Sequence, residues 1–223
     1  MIRPRALLLL LLLAAAGCGD APQPDAPPAP ANEAVAVPET PPPPPAPAPV
    51  PDTARVRLET ERGPIVVELD GRRAPVTTAN FLAYVDQRRF DGIYFYRAAR
   101  TRNAERRGFI QGGIQRSARR MLPRIAHEPT SATGLRHRDG TISMARREPG
   151  TAMGDFFITV GAMPSMDAGR DDPGFAAFGR VVEGMDTVRR ILAAETVANA
   201  GRGAMKGQMI AAPVRIVSAR RVE

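Results

Sequence analysis

Gly140-Thr-Ile-Ser-Met-Ala-Arg146 is followed, across a loop holding Pro149, Gly150 and Thr151, by Gly154-Asp-Phe-Phe-Ile-Thr-Val160. Each is a short apolar run bounded by turn residues, which predicts two neighbouring buried strands. Upstream, Phe95-Tyr96-Arg97 and Ile110-Gln111-Gly112-Gly113 are two more strand-like pieces. The four pieces bring one Arg, one Gln and several large apolar side chains within reach of one sheet face.

The pattern continues outward. Arg55–Thr60 alternates polar and apolar residues, Glu61-Arg62-Gly63 turns, and Pro64–Leu69 returns, which predicts a hairpin. Pro75 opens a helix that carries Phe81, Leu82 and Val85 on one face and ends near Gln87. Further strands are expected at Tyr94–Ala98, Ile110–Gly112, Gly140–Met144, Phe156–Val160, Ala176–Val181 and Val214–Ala219, and a second helix over Asp186–Ala194. Many short strands with only two helices predict a mainly β fold, an antiparallel barrel.

The N-terminal residues belong to something else. Arg3 and Arg5 precede an unbroken leucine run, Leu7 to Leu13, and then Ala14-Ala15-Ala16-Gly17-Cys18. A basic start, a short apolar stretch and small residues describe an export signal. The run falls short of the roughly 20 residues a permanent span needs. Ala15-Ala16-Gly17-Cys18 resembles the lipobox of bacterial lipoproteins, which implies lipidation of Cys18, the only cysteine in the chain. Residues 19–53 are Ala, Pro and acidic, with five consecutive prolines at Pro41–Pro45. Without an apolar period nothing here offsets the ordering entropy, so a disordered polyproline-type tether is expected. The expected organisation is therefore a signal over 1–18, a tether over 19–53 and one domain over 54–223. With no second cysteine, the domain holds no disulfide and relies on its own core.

Charge is concentrated. Residues 97–147 hold 13 Arg against three acidic residues, a balance of +10, while the rest of the chain comes to −2. Such a patch would suit anionic lipid head groups, acidic polysaccharide or acidic polypeptides; equally, it solvates loops. Export argues against a nucleic-acid partner. His127 and His137 are not at metal-ligand spacing and read as structural or surface residues. A Ser-His-Asp site would need Ser143 or Ser165 beside one of them.

Taken together, Phe95-Tyr96-Arg97, Ile110-Gln111-Gly112-Gly113 and the Gly140–Val160 pair resemble the signature of the cyclophilin-type peptidyl-prolyl isomerases, over roughly Arg55 to Val222. The resemblance implies a closed eight-stranded antiparallel β-barrel with two flanking α-helices. It implies isomerisation of X–Pro bonds with no cofactor and no metal, by a monomer. Catalytic roles would fall on Arg97 and on Gln111, which hydrogen-bonds the substrate backbone and orients the arginine. Phe157 would floor the proline pocket, Phe109, Met166 and Phe175 would wall it, and Met144, Ala145, Arg146 and Asp155 would line the substrate edge. The sequence departs from the family pattern at Gly108, where a pocket phenylalanine is usual, at Asp155 in place of Gln, at Ser165 and at Phe175. Some ten residues, Ala98 to Arg107, read as an insertion. A guanidinium suits the chemistry, since it is always charged and can donate to the nitrogen lone pair freed as the amide twists. The leading expectation is an envelope-anchored isomerase for exported polypeptides. A catalytically weak binding or chaperone module on the same fold is its main rival, and a structural lipoprotein using the Arg-rich face is the third reading.

Overall fold

In the computed structural model, residues 50–102 and 104–223 are described. Cys18, the leucine run and all but the last few residues of the tether lie outside the described residues.

Nine strands build one sheet: β1 (Thr53–Thr60), β2 (Ile65–Asp70), β3 (Ile93–Thr101), β4 (Ala104–Gly113), β5 (Thr141–Met144), β6 (Asp155–Val160), β7 (Ala176–Glu183), β8 (Thr196–Val197) and β9 (Met209–Val222). They run in the order β1-β2-β7-β5-β6-β4-β3-β9-β8, and β1 also pairs with β9. Eight strands thereby close into an antiparallel barrel, with β8 as a two-residue annex on β9. The expected strands are all present. Among the described residues the three α-helices are α1 (Pro75–Asp86), α2 (Thr130–Thr133) and α3 (Met185–Leu192). The one-turn α2 and the short β8 were not foreseen, because neither is long enough to show a period.

Strand alternation fills the barrel. Val56, Leu58, Ile65, Val67, Leu69, Ile110, Ile142, Phe156 and Ile158 are fully buried. Phe81 of α1 reaches inward to Phe90, Phe156 and Phe178, with ring centroids 4.9, 5.4 and 5.3 Å away. Aromatic pairs at these separations add to the area they bury. The other long helix, α3, sets Val188, Ile191 and Leu192 into the same core beside β2, β3, β4 and β6.

Pro75 starts α1 as the sequence predicts, but Ala74 at the cap has no side chain to offer. The cap comes from a distant loop instead. Glu128 accepts hydrogen bonds from the Val76 and Thr77 amides at 3.0 and 2.7 Å. A carboxylate there satisfies two orphan donors and faces the positive end of the helix dipole. Glu128→Ala is expected to cost about 1–2 kcal/mol, read as a lower urea midpoint with an unchanged slope. An unchanged midpoint would show that the cap contributes nothing.

The expected insertion, Ala98–Arg107, is built into the sheet. It lengthens β3 and β4 into one hairpin, with Ala98 opposite Ile110, Ala99 opposite Phe109 and Arg100 opposite Gly108. Gly108 has φ +148°, and a Cβ there would lie 2.0 Å from the Ala99 carbonyl oxygen. No side chain fits at that position, so the neighbouring Phe109 supplies the ring.

Candidate functional site

Four strands share one rung on the outside of the barrel. Arg97 on β3 is opposite Gln111 on β4, Gln111 is opposite Phe157 on β6, and Phe157 is opposite Ser143 on β5. Phe109 lies one rung along. Residues two apart on a strand point the same way, so the register alone gathers these side chains.

A bulge aims the arginine. The β3–β4 register skips between Phe95 and Arg97, leaving Tyr96 as the extra residue. Phe95 can then stay in the core while both Tyr96 and Arg97 turn toward Gln111. The Arg97 guanidinium lies over the Phe109 ring, 4.8 Å from its centroid. Its Nη1 donates to Gln111 Oε1 at 2.8 Å and its Nε to Gln208 Oε1 at 2.8 Å. Nη2 approaches the Ala204 carbonyl at 3.5 Å and is the donor held most loosely. Burial pulls the Arg97 pKa down, yet an arginine this high in pKa stays protonated at neutral pH.

Phe157 is enclosed on three sides. Phe109 tilts against it at 5.3 Å, Phe175 meets it edge-on at 5.4 Å, and His137 stacks on it at 5.8 Å with an interplanar angle of 11°. Arg146 fixes Phe175 from outside: its guanidinium lies 5.0 Å from that ring and its Nε donates to the Gly174 carbonyl at 3.0 Å. Met166 ends a short 3-10 helix and accepts the Phe175 amide at 2.9 Å. Ala145, half-buried beyond β5, extends the ladder by donating to the Asp155 carbonyl at 2.9 Å.

Two expectations are corrected. Met144 does not line the substrate edge with its side chain: it is 1% exposed and belongs to the barrel core, because it alternates with the outward Ser143. Asp155 turns away from the open face. Its Oδ1 accepts from the Tyr96 hydroxyl at 3.3 Å and from the Gln115 amide at 3.1 Å. Burial pushes its pKa up from the usual carboxylate range.

Several contributors were not singled out from sequence. Gln208 and Ala204 come from the loop before β9, far from the quoted motifs. Tyr96 stands inside a quoted motif, but only the bulge reveals its direction. The structure does bring Ser143, His137 and Asp167 together: His137 Nδ1 lies 2.7 Å from Asp167 Oδ1 and Nε2 lies 2.9 Å from Ser143 Oγ. Ser143 is fully buried, so no substrate carbonyl can reach its hydroxyl. Burial lowers the His137 pKa despite Asp167. The neutral ring donating to Asp167 and accepting from Ser143 is a strut under the Phe157 floor. His127 bonds the Pro173 carbonyl at 3.0 Å, which ties two loops. A concavity of about 510 Å³ lies elsewhere, lined by Glu68, Asp70, Arg73, Arg136 and Arg180 among others. Those charges are paired with one another or with Asp167.

Comparison with known proteins places the barrel in a family. Residues 55–221 match the family described as cyclophilin type peptidyl-prolyl cis-trans isomerase/CLD. The chain belongs to that family. It is 36% identical to peptidyl-prolyl cis-trans isomerase A of Dickeya dadantii over 145 residues, covering 65% of this chain and 74% of the relative. It is 37% identical to peptidyl-prolyl cis-trans isomerase cyp18 of Streptomyces antibioticus over 150 residues, covering 66% of this chain and 87% of the relative. The fold matches a crystal structure of a Cryptosporidium parvum cyclophilin type peptidyl-prolyl cis-trans isomerase in the presence of the dipeptide ala-pro. That likeness has a TM-score of 0.60 at 20% identity and covers 76% of this chain and 99% of the other. The closed barrel is thus that of a cyclophilin.

Proposed function

We propose that this peptidyl-prolyl cis-trans isomerase serves exported polypeptides at the cell envelope, working as a monomer without cofactor or metal. The observation that carries the isomerase reading is the Arg97 guanidinium fixed over Phe109 and bonded to Gln111. Rotation about an X–Pro bond meets a barrier of about 18–20 kcal/mol, because planarity preserves amide resonance. A catalyst need only prefer the twisted amide to the planar one. The Phe157 floor, walled by Phe109 and Phe175, offers an apolar seat for a proline ring. As the amide twists, its nitrogen gains a lone pair, and the loosely held Nη2 of Arg97 is the donor placed to bond it. The other two donors stay with Gln111 and Gln208, so no reorganisation accompanies the step.

Purified protein added to a peptide with one X–Pro bond should shorten its isomerisation from the uncatalysed tens to hundreds of seconds. A rate equal to the uncatalysed one would overturn the isomerase reading and leave the weak binding module in its place.

The envelope assignment rests on the basic, leucine-rich start, the Ala15-Ala16-Gly17-Cys18 pattern and the proline-rich tether, which would hold the domain away from a membrane surface. Lipidated Cys18 would be the anchor, facing the periplasm. In cells that express the full chain, Cys18→Ala should move the protein from the membrane fraction to the soluble one. Equal partitioning of the two would remove the anchor.

A further inference from the structure

A hydrogen-bonded chain runs behind the catalytic pair. Asp155 Oδ1 accepts from the Tyr96 hydroxyl (3.3 Å), that hydroxyl accepts from Gln111 Nε2 (2.7 Å), and Gln111 Oε1 accepts from Arg97 Nη1 (2.8 Å). We propose that Tyr96 and Asp155 are positioning residues, which fix the orientation of the Gln111 amide and through it the catalytic guanidinium, so that turnover depends on the charge of Asp155. The inference rests on the isomerase reading.

The direction of each bond follows from chemistry. An ionised carboxylate can only accept, so the Tyr96 hydrogen points toward Asp155. The hydroxyl oxygen is then left to accept, and the Gln111 NH₂ turns to it. The Gln111 carbonyl oxygen must therefore face Arg97, which can only donate. One charge orders every dipole as far as the guanidinium, in a setting where burial strengthens each link. Tyr96 is 8% exposed and Gln111 is 9% exposed, so water does not compete freely for these bonds. The Asp155 carboxylate reaches Tyr96 only because Gly113 is bare: a Cβ there would lie 2.4 Å from Oδ1.

Protonated Asp155 could donate to the Tyr96 oxygen. The Tyr96 oxygen would then no longer be reserved for Gln111, and the amide, its oxygen still facing Arg97, would lose the acceptor that holds its NH₂ from behind. The groups around Asp155 make it the one that switches in this chain. Tyr96 on β3 has its pKa pushed up by burial and by Asp155 itself, and Tyr84 on α1 is raised by burial, so both stay neutral. The Arg116 guanidinium, on the turn after β4, favours the ionised carboxylate, as does the Gln115 amide. Arg97 keeps its charge as well. His137 faces Phe157 rather than this chain.

The folded-state pKa of Asp155 is raised, so its neutral form is the one that folding favours. Whatever stability this contributes is present below the unfolded pKa and disappears as pH rises through the folded one. At pH 7 the ionised group therefore strains the fold while ordering the site. Replacing it with a neutral isostere should raise stability and lower turnover together.

The test uses the full chain as wild type, Asp155→Asn, Tyr96→Phe and the double variant, from pH 4 to 8. Wild-type kcat should fall on acidification, with a midpoint above the ordinary aspartate value of 3.8, while KM stays flat. At pH 7 each single variant should lose about fivefold in kcat, the scale of one net hydrogen bond. Asp155→Asn should lose the acid limb, and the double variant should be no slower than Tyr96→Phe. The thermal midpoint of Asp155→Asn should exceed wild type at pH 7 and match it at pH 4. A limb that survives in Asp155→Asn, as a His137 limb would, or additive losses in the double variant, overturns the proposal. The Gln111 side-chain amide and Arg97 Nε–H resonances give a readout independent of turnover. They should shift together with pH in wild type and stay still in Asp155→Asn. Turnover with unmoved resonances sinks the relay; moving resonances in a protein without turnover sink the isomerase reading instead.

Discussion

Arg97→Ala is expected to lower kcat/KM by about 10²–10³-fold, the usual cost of deleting one preorganised donor, while the thermal midpoint changes little. Arg97 sits on the outside of the barrel, half-buried. Its loss leaves Gln111 and Gln208 without a shared donor, but the space the side chain vacates admits water to replace it. The rate effect is large because the same three atoms cannot be replaced from elsewhere: Nε and Nη1 are committed to two glutamines and Nη2 remains for the substrate. Arg97→Lys should restore little, since an ammonium has no planar fork with which to satisfy both amides at once. The measurement is kcat/KM on an X–Pro peptide for the three proteins. A loss of less than threefold in Arg97→Ala would exclude the guanidinium as the group that stabilises the twisted amide.

The second large effect separates two adjacent phenylalanines. Phe156→Ala is expected to cost about 3–5 kcal/mol and to lower the Tm by about 10 °C. Its ring is fully buried and is packed by Phe81, Phe90 and Phe95 at 5.4, 5.5 and 5.8 Å, from α1, the following loop and β3. That space lies inside a closed barrel, where the walls cannot collapse onto it. Phe157→Ala removes an equal ring from the opposite face. There Phe175 rides on a loop that can relax into the gap, so the stability cost is smaller, about 1–3 kcal/mol. The damage falls on binding, and KM should rise by about tenfold or more. Thermal unfolding and steady-state kinetics on both variants decide the matter. Equal Tm losses would mean that Phe157 is a core residue with no pocket above it.

Phe156 and Phe157 also mark what could be read from the sequence. A period of two separates the inward ring from the outward one, and the eight barrel strands carry enough of that period to be found. Met144 shows the limit of reading by motif alone: the residue lies in the right strand but on the wrong face, and only the phase of the alternation corrects it. Tyr96 was hidden by the opposite cause, a bulge that breaks the phase between Phe95 and Arg97. The insertion Ala98–Arg107 does not read as strand because its charged residues obscure the pattern, although Ala98–Thr101 and Ala104 pair within the β3–β4 hairpin. Gln208 and the Asp167–His137–Ser143 strut required contacts between segments far apart in the chain, which no local pattern encodes.

The pairing of β1 with β9 brings Arg55 opposite Val222. The strand that emerges first must therefore wait for the strand that emerges last, with almost the whole domain between them. During synthesis β1 has β2 on one side and an open edge on the other until β9 is available. Closing so long a loop is slow relative to forming local hairpins. Local hairpins can form early, but the barrel can close only once β9 is present to pair with β1.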